Sequence, residues 1–158
     1  IAQIYEGTNG VQSQDLIGRK TIKCGGAFIA EYIAEIRDFA NTLDADLNFI
    51  KDATLDAATE VEAVTQFIIE QAAENVDFPN AVAVDYLHAV GLLSFAYMFA
   101  KIAAAAKDKS GDFYQNKLAL AQYFVDRILP ELDSRLAKIK AGSDLIMNFS
   151  EDYFTNQA

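Results

Sequence analysis

Apolar residues recur at spacings of three and four along most of the chain, a pattern typical of amphipathic helices packed on a core. The first such stripe predicts a helix over about residues 27–44. It is formed by Ile29, Tyr32, Ile33, Ile36, Ala40 and Leu43. Residues 44–56 mix Asp, Asn and Thr with single apolar residues and predict a connection. A second stripe then predicts a helix over about residues 55–75. It is formed by Val61, Val64, Ile68 and Ala72.

Two more helices are predicted in the second half of the chain. The residues around Pro79 end the second helix, because the residue before a proline disfavours helical backbone angles. The third helix, over about residues 81–108, is apolar nearly all round, so we expect it to be buried on several sides. The fourth spans about residues 112–141, ends at Gly142, and should be kinked by Pro130.

These four helices have short connections, and the sequence shows no long alternation typical of strands. The pattern therefore predicts an all-α fold, an antiparallel up-and-down four-helix bundle. The first 22 residues differ from this pattern. Gly7, Thr8, Asn9 and Gly10 disfavour a helix interior, residues 11–20 predict a short helix, and Gly25 and Gly26 break the chain before the bundle.

The amino-acid composition limits which classes of binding partner and which cellular compartment we expect for this protein. The 158 residues are 52% hydrophobic, enough for a core, and carry a net charge of −10. An acidic surface argues against nucleic acid and against anionic membranes, which both require clustered Lys and Arg. Cys24 is the only cysteine, which is typical of a reducing cytosol. The longest uncharged apolar run, residues 86–100, is shorter than the roughly 20 residues of a membrane span, so we expect a cytoplasmic protein without membrane insertion.

One feature could in principle hold a metal. Four-helix bundles bind two irons through Glu-x-x-His pairs on two helices, and Asp85 with His88 has the matching spacing. His88 is the only histidine, so the second pair is missing and we predict no metal site. We expect His88 to be a core or interface histidine, and Cys24, with no Cys–His arrangement visible, to act as a small apolar residue.

The start of the chain carries the chemistry. Residues 3–12 read QIYEGTNGVQ, which resembles the segment I-Y-E-G-T-x-x-I-Q near the end of acyl-CoA dehydrogenases. The resemblance implies that Glu6 is the catalytic base and that Gly7 contacts the acyl thioester. It also implies that four residues lie at the FAD cofactor: Thr8, Asn9, Gly10 and Gln12. Residue 1 is Ile, so we expect the chain to be cut or processed upstream.

The residues after this motif extend the resemblance. Residues 15–20 read DLIGRK, similar to the D-L-V-G-R-K continuation in a bacterial branch with an extra C-terminal helical domain, the 3-methylmercaptopropionyl-CoA dehydrogenase-like enzymes. On this resemblance residues 1–22 end a truncated catalytic domain, and residues 23–158 form the appended bundle. Gly18 departs from the pattern, because some relatives have a CoA-contacting Arg there. Arg19 is adjacent, but we assign it no role.

The resemblance implies a function for the whole protein. It would oxidise acyl-CoA to trans-2-enoyl-CoA by α-proton abstraction and β-hydride transfer to flavin, as an oligomer that passes electrons to an electron-transfer flavoprotein. The fragment alone would be inactive. The alternative is a stand-alone helical interaction module without catalysis. The acyl chain length, the oligomeric state and the role of the bundle stay open from sequence.

Overall fold

The computed structural model describes residues 1, 5, 7–150 and 152–155, and across them the chain is helical without a β-strand. The α-helices in chain order are α1 Asn9–Gln14, α2 Ala27–Asn41, α3 Asn48–Glu74, α4 Phe78–Ala106, α5 Asp112–Tyr123, α6 Glu131–Lys140, α7 Asp144–Met147 and α8 Asp152–Thr155. A π-helical stretch Asp15–Ile22 continues α1, another, Phe124–Ile128, continues α5, and a 3-10 turn Ala45–Leu47 precedes α3. The predicted all-α bundle is confirmed.

The predicted connection over residues 44–56 is wrong for most of its length, because α3 begins at Asn48. Its first turns pack against the far end of α4. Leu47 and Ile50 are buried in a cluster with Ala100 and Ala103. Local composition favoured a loop here, but burial of two well-spaced apolar residues stabilises the helix.

The two prolines mark breaks between helices. Pro79 lies in the first turn of α4, where its missing N–H is not needed for an intrahelical bond. Pro130 follows the π-helical stretch and forms a turn with Leu129 before α6 begins. The predicted kink is therefore confirmed, as an interruption that separates α5 from α6 and allows both to contact α4.

Helix α4 is the centre of the bundle. It contacts α1, α2, α3, α5 and α6, and residues of every turn are buried, among them Val82, Tyr86, Leu93, Tyr97 and Ala100. By length and composition alone it could cross a membrane, but half of its most apolar stretch is buried inside the protein. Its packing is that of the predicted core helix.

One stripe of α4 remains open. Val84, Phe95, Met98 and Ile102 are exposed, Phe95 to 59%. Phe95, Met98 and Ile102 follow one another at spacings of three and four, and Val84 lies eleven residues, or about three turns, before Phe95, so all four lie along one side of the helix. Aromatic residues of α4 and of the helical segments after it also differ in burial: Tyr97 and Phe124 are buried, whereas Phe95, Phe113 and Tyr123 are exposed.

Candidate functional site

The predicted catalytic base Glu6 lies outside the described residues, which resume at Gly7. Gly7 has a φ of +97°, a backbone conformation that L side chains rarely adopt. A Cβ added there would also lie 3.3 Å from Nε2 of Gln12. The backbone angle therefore favours glycine at this position, and a larger residue would also displace the end of the Gln12 side chain slightly.

Thr8 is the N-cap of α1. Its Oγ1 accepts a hydrogen bond from the N–H of Val11 at 3.4 Å, the interaction expected of a hydroxyl at this position. Asn9 and Gly10 then form the first turn of the helix, and Ser13 donates to the Gly10 carbonyl at 2.8 Å. The predicted short helix over residues 11–20 is present, but it begins earlier, at Asn9, so that Asn9 and Gly10 are helical after all, and it extends to Ile22.

The segment over residues 9–22, hereafter the motif helix, has two distinct sides. Ser13, Ile17 and Thr21 recur every fourth residue and are fully buried against the bundle. The residues predicted at the cofactor are instead exposed: Thr8, Asn9, Gly10 and Gln12.

Asn9 also borders a cleft between α4 and the helices that follow it. The cleft has a volume of about 460 Å³, and Asn9 lies at its edge with His88, Phe95, Ile128 and Glu131. It is the point where the motif meets the open stripe of α4. His88 is half-buried and lines this cleft.

A buried group of three hydroxyls joins the motif helix to the bundle. Oγ1 of Thr21 lies 3.4 Å from the hydroxyl oxygen of Tyr86 on α4. That oxygen lies 2.9 Å from Oγ1 of Thr65 on α3. Burial raises the pKa of Tyr86 above its ordinary value, and the bonds from Thr21 and Thr65 offset this in part. We call these residues the hydroxyl node.

The three hydroxyl protons of the node can all be assigned, because each hydroxyl has one proton to donate. Thr65 donates to the Val61 carbonyl at 2.6 Å, which leaves its oxygen to accept from Tyr86. Thr21 donates to the Leu16 carbonyl at 2.9 Å, with the Tyr86 oxygen as its second, longer acceptor. Tyr86 is therefore the member that links three helices.

Asp85 and His88 have the spacing nearest to a metal-binding motif, and Asp85 forms an ion pair within the bundle. Arg135 on α6 donates to Oδ1 of Asp85 at 2.9 Å, so this carboxylate already has a cationic partner. Among the residues described, no three His, Cys, Asp or Glu side chains come together as a metal site would need. Nε of Arg19 lies 2.9 Å from Oδ1 of Asp15, so this side chain forms an ion pair within the motif helix.

Sequence reasoning missed the hydroxyl node. The spacing Ser13, Ile17, Thr21 is a helical stripe, but two of its three members are polar and give no hydrophobic signal. Thr65 was likewise hidden among the polar residues of its helix. The interaction became visible only when α3 and α4 brought Thr65 and Tyr86 to the same point.

Comparison with known proteins identifies the family of this helical domain. A profile of the family described as acetyl-CoA dehydrogenase C-terminal like matches residues 32–150. The chain belongs to this family. The match covers α3 to α7 and about two thirds of α2, and it starts after the motif helix.

Three curated relatives extend the likeness to nearly the whole chain. The chain is 28% identical to a broad-specificity linear acyl-CoA dehydrogenase of Mycobacterium tuberculosis, over 98% of this chain and 28% of the relative. It is 28% identical to a 3-methylmercaptopropionyl-CoA dehydrogenase of Ruegeria pomeroyi, over 95% of this chain and 27% of the relative. A butyryl-CoA dehydrogenase of Syntrophomonas wolfei is 25% identical over 98% of the chain and 27% of its own length. The chain thus spans little more than a quarter of each, and the predicted resemblance to this family is confirmed.

Proposed function

We propose that this chain is the C-terminal part of an FAD-dependent acyl-CoA dehydrogenase that oxidises acyl-CoA to trans-2-enoyl-CoA. The observation that carries the proposal is the motif itself. A Tyr-Glu-Gly-Thr run leads through Gly7, at a φ of +97°, into a helix capped by Thr8, and it does so in a chain of this family.

In this reaction Glu6 removes a proton from the α carbon of the acyl thioester. A carboxylate base works best in a site from which water is excluded, and the remaining domains would form that site. Gly7 has no side chain, so its backbone can approach the thioester closely. Flavin, when bound, accepts the hydride from the β carbon.

The described residues fit a flavin neighbour. Thr8, Asn9, Gly10 and Gln12 are exposed, and they present hydroxyl and amide groups that can donate or accept hydrogen bonds. A Cβ placed on Gly10 would meet only Thr8 Oγ1, at 3.8 Å, so the backbone there is open to a flat ligand. These residues would hold and orient the cofactor from one side.

We propose the same division of the chain as the sequence suggested. Residues 1–22 close the catalytic domain, and residues 23–158 are the appended bundle, in line with a family match that begins at residue 32. The whole enzyme would be a cytoplasmic homo-oligomer with an electron-transfer flavoprotein as acceptor. The open stripe of α4, with Phe95 and Met98 exposed, supports contact with another part of this larger assembly.

The test uses the enzyme that includes the residues encoded before Ile1. Turnover with a panel of acyl-CoAs and an artificial electron acceptor should form the enoyl product. Glu6→Gln should lower turnover at least about 100-fold, the contribution typical of a positioned base, while flavin content stays unchanged. Glu31→Gln, on the exposed side of α2, is the matched control and should behave as wild type. Equal turnover in the two variants would contradict the assignment of Glu6.

The 158-residue chain alone is proposed to be inactive, because most of a flavin's surroundings would lie in the other domains. A flavin titration of this chain, followed by fluorescence, should show no stoichiometric binding. Tight binding by the chain alone would overturn that part of the proposal. The rival, a stand-alone helical module, requires an uncut protein without flavin, and a colourless full-length protein would favour it.

A further inference from the structure

We propose that Tyr86 is a positioning residue for the dehydrogenase reaction, because its hydroxyl contacts the motif helix, which begins within the catalytic motif. The inference rests on the proposed function. It assigns a task to the appended bundle, which would hold the segment after Glu6 in place. Tyr86 acts through that segment and touches neither substrate nor cofactor.

The motif helix is held against the bundle by its buried side. Its buried side consists of Ser13, Ile17 and Thr21, and it lies against α4. Ile17 supplies apolar contact, but an apolar contact alone permits sliding and rotation. A directional contact at the end of the helix comes from Thr21, whose hydroxyl shares its proton between the Leu16 carbonyl at 2.9 Å and the more distant Tyr86 oxygen at 3.4 Å.

Tyr86 is itself immobilised within the bundle. Its side chain is fully buried, and its hydroxyl is bonded to Thr65 of α3 at 2.9 Å. The motif helix is thereby tied to two long helices of the bundle through one oxygen. The chain then turns at Gly26, whose N–H donates to the Thr21 carbonyl at 2.8 Å, so the same residue is held on its backbone side.

The motif helix is long enough for a change of tilt at one end to move the other end. Thr21 lies near the far end of the motif helix, which begins three residues after Glu6, and its 6 α-helical and 8 π-helical residues form a rod of roughly 20 Å. A change of tilt at the Thr21 end therefore displaces the end next to Glu6. Misplacement of a catalytic group by about 1 Å can lower the rate about 100-fold. A small tilt should thus lower turnover without unfolding the protein.

The same helix provides a matched control. Tyr97 is also buried on α4, and its hydroxyl donates to Oε1 of Glu35 on α2 at 2.7 Å. This bond joins two helices of the bundle and does not involve the motif helix. Tyr97→Phe therefore removes a comparable hydroxyl with comparable structural consequences, but away from the motif.

The experiment compares Tyr86→Phe with Tyr97→Phe in the full-length enzyme. Flavin content, kcat, KM for one acyl-CoA, and hydrogen–deuterium exchange of residues 9–22 are measured for both. We expect Tyr86→Phe to lower kcat about three- to tenfold with KM changed less than about twofold, as for a displaced catalytic group. Amides of residues 9–22 should exchange faster. Tyr97→Phe should change neither kcat nor the exchange of residues 9–22.

A second pair of variants guards against misfolding of Tyr86→Phe. Thr21→Ser keeps the hydroxyl and should retain kcat, whereas Thr21→Val keeps the shape and should lower kcat by a similar factor. Equal kcat and exchange in Tyr86→Phe and Tyr97→Phe, or full activity of Thr21→Val, would overturn the positioning role while leaving the proposed function intact. A wild-type enzyme without flavin or acyl-CoA turnover would overturn the proposed function, and the positioning role with it.

Discussion

Arg135 of α6 donates a hydrogen bond from Nη1 to Oδ1 of Asp85 on α4, at 2.9 Å. Both side chains are only 23% exposed, so the pair is screened from solvent more than a typical surface ion pair. It joins the last long helix of the bundle to the central one. It also occupies the carboxylate that stands three residues before the only histidine.

Removal of the arginine should therefore weaken the docking of α6. We expect Arg135→Met to lower the free energy of unfolding by about 1 kcal/mol, because Asp85 keeps a partly desolvated charge without its partner. Urea unfolding measures the effect, and Arg127→Met, at an exposed site, is the control. A double-mutant cycle with Asp85→Asn should show coupling; strictly additive effects would contradict a stabilising pair.

The turn between the motif helix and α2 should depend on two glycines to different degrees. Gly25 and Gly26 have φ angles of +61° and +81°. A Cβ on Gly26 would lie 3.0 Å from Cδ1 of Ile69, whereas a Cβ on Gly25 would meet nothing within 4 Å. We expect Gly25→Ala to cost roughly 1 kcal/mol of stability and Gly26→Ala to cost more, since Ile69 must also move.

Asparagine distinguishes strain from crowding at this turn. Gly25→Asn should be milder than Gly25→Ala, because asparagine tolerates the left-handed region. Thermal unfolding of the three variants gives the order directly. Equal losses for Gly25→Ala and Gly26→Ala would show that the contact with Ile69 has no energetic consequence.

Docking of the motif helix should depend strongly on Ile17. This side chain is fully buried in the main core cluster, so Ile17→Ala should cost about 2–4 kcal/mol of unfolding free energy through lost burial and a residual cavity. Val11, on the same helix, is 61% exposed, and Val11→Ala should change stability by less than about 0.5 kcal/mol. A negligible effect of Ile17→Ala would mean that residues 9–22 are not anchored to the bundle.

Stability at low pH should depend on Asp44. The hydrogen bond from Lys107, and secondarily its charge, hold the pKa of Asp44 below its ordinary value of 3.8. The stabilisation from this pair is therefore complete above the ordinary pKa and is lost as pH falls through the lowered folded-state value. We expect wild type to exceed Asp44→Asn in Tm at neutral pH, and the difference to disappear in acid.

The same pair makes a second prediction at alkaline pH. The hydrogen bond to Asp44 raises the pKa of Lys107 above its ordinary 10.5. That contribution is complete below the ordinary pKa and is lost as pH rises through the raised one. Because both groups are at the surface, added salt should reduce the Tm difference. A Tm difference unaffected by pH and salt would contradict an electrostatic origin.

The long helices were predictable because their apolar residues keep a regular period. Ile33, Ile36, Val61 and Ile68, all placed on predicted stripes, are fully or almost fully buried. The start of α3 was not predictable, because Leu47 and Ile50 stand among polar residues in the sequence. They stabilise the helix only through burial against Ala100 and Ala103 on the other side of the bundle. Tertiary contact decided what local composition could not.

The candidate site divides in a similar way. The motif from Ile4 to Gln12 is contiguous in sequence, so its residue types could be recognised directly, and the positive φ of Gly7 fits the need for glycine there. The hydroxyl node joins residues 21, 65 and 86, which are far apart in the chain. Its members are common polar or aromatic residues, so no local sequence pattern predicts that they meet.

The central claim is that Glu6 is the base of a flavin-dependent acyl-CoA dehydrogenase. Its most direct test is the visible spectrum of the full-length protein, recorded without oxygen as acyl-CoA is added, for wild type and Glu6→Gln. We predict that flavin absorbance bleaches in wild type with at least one acyl-CoA and persists in the variant. Bleaching of both proteins to the same extent and at the same rate, or a wild type without flavin absorbance, would contradict the account.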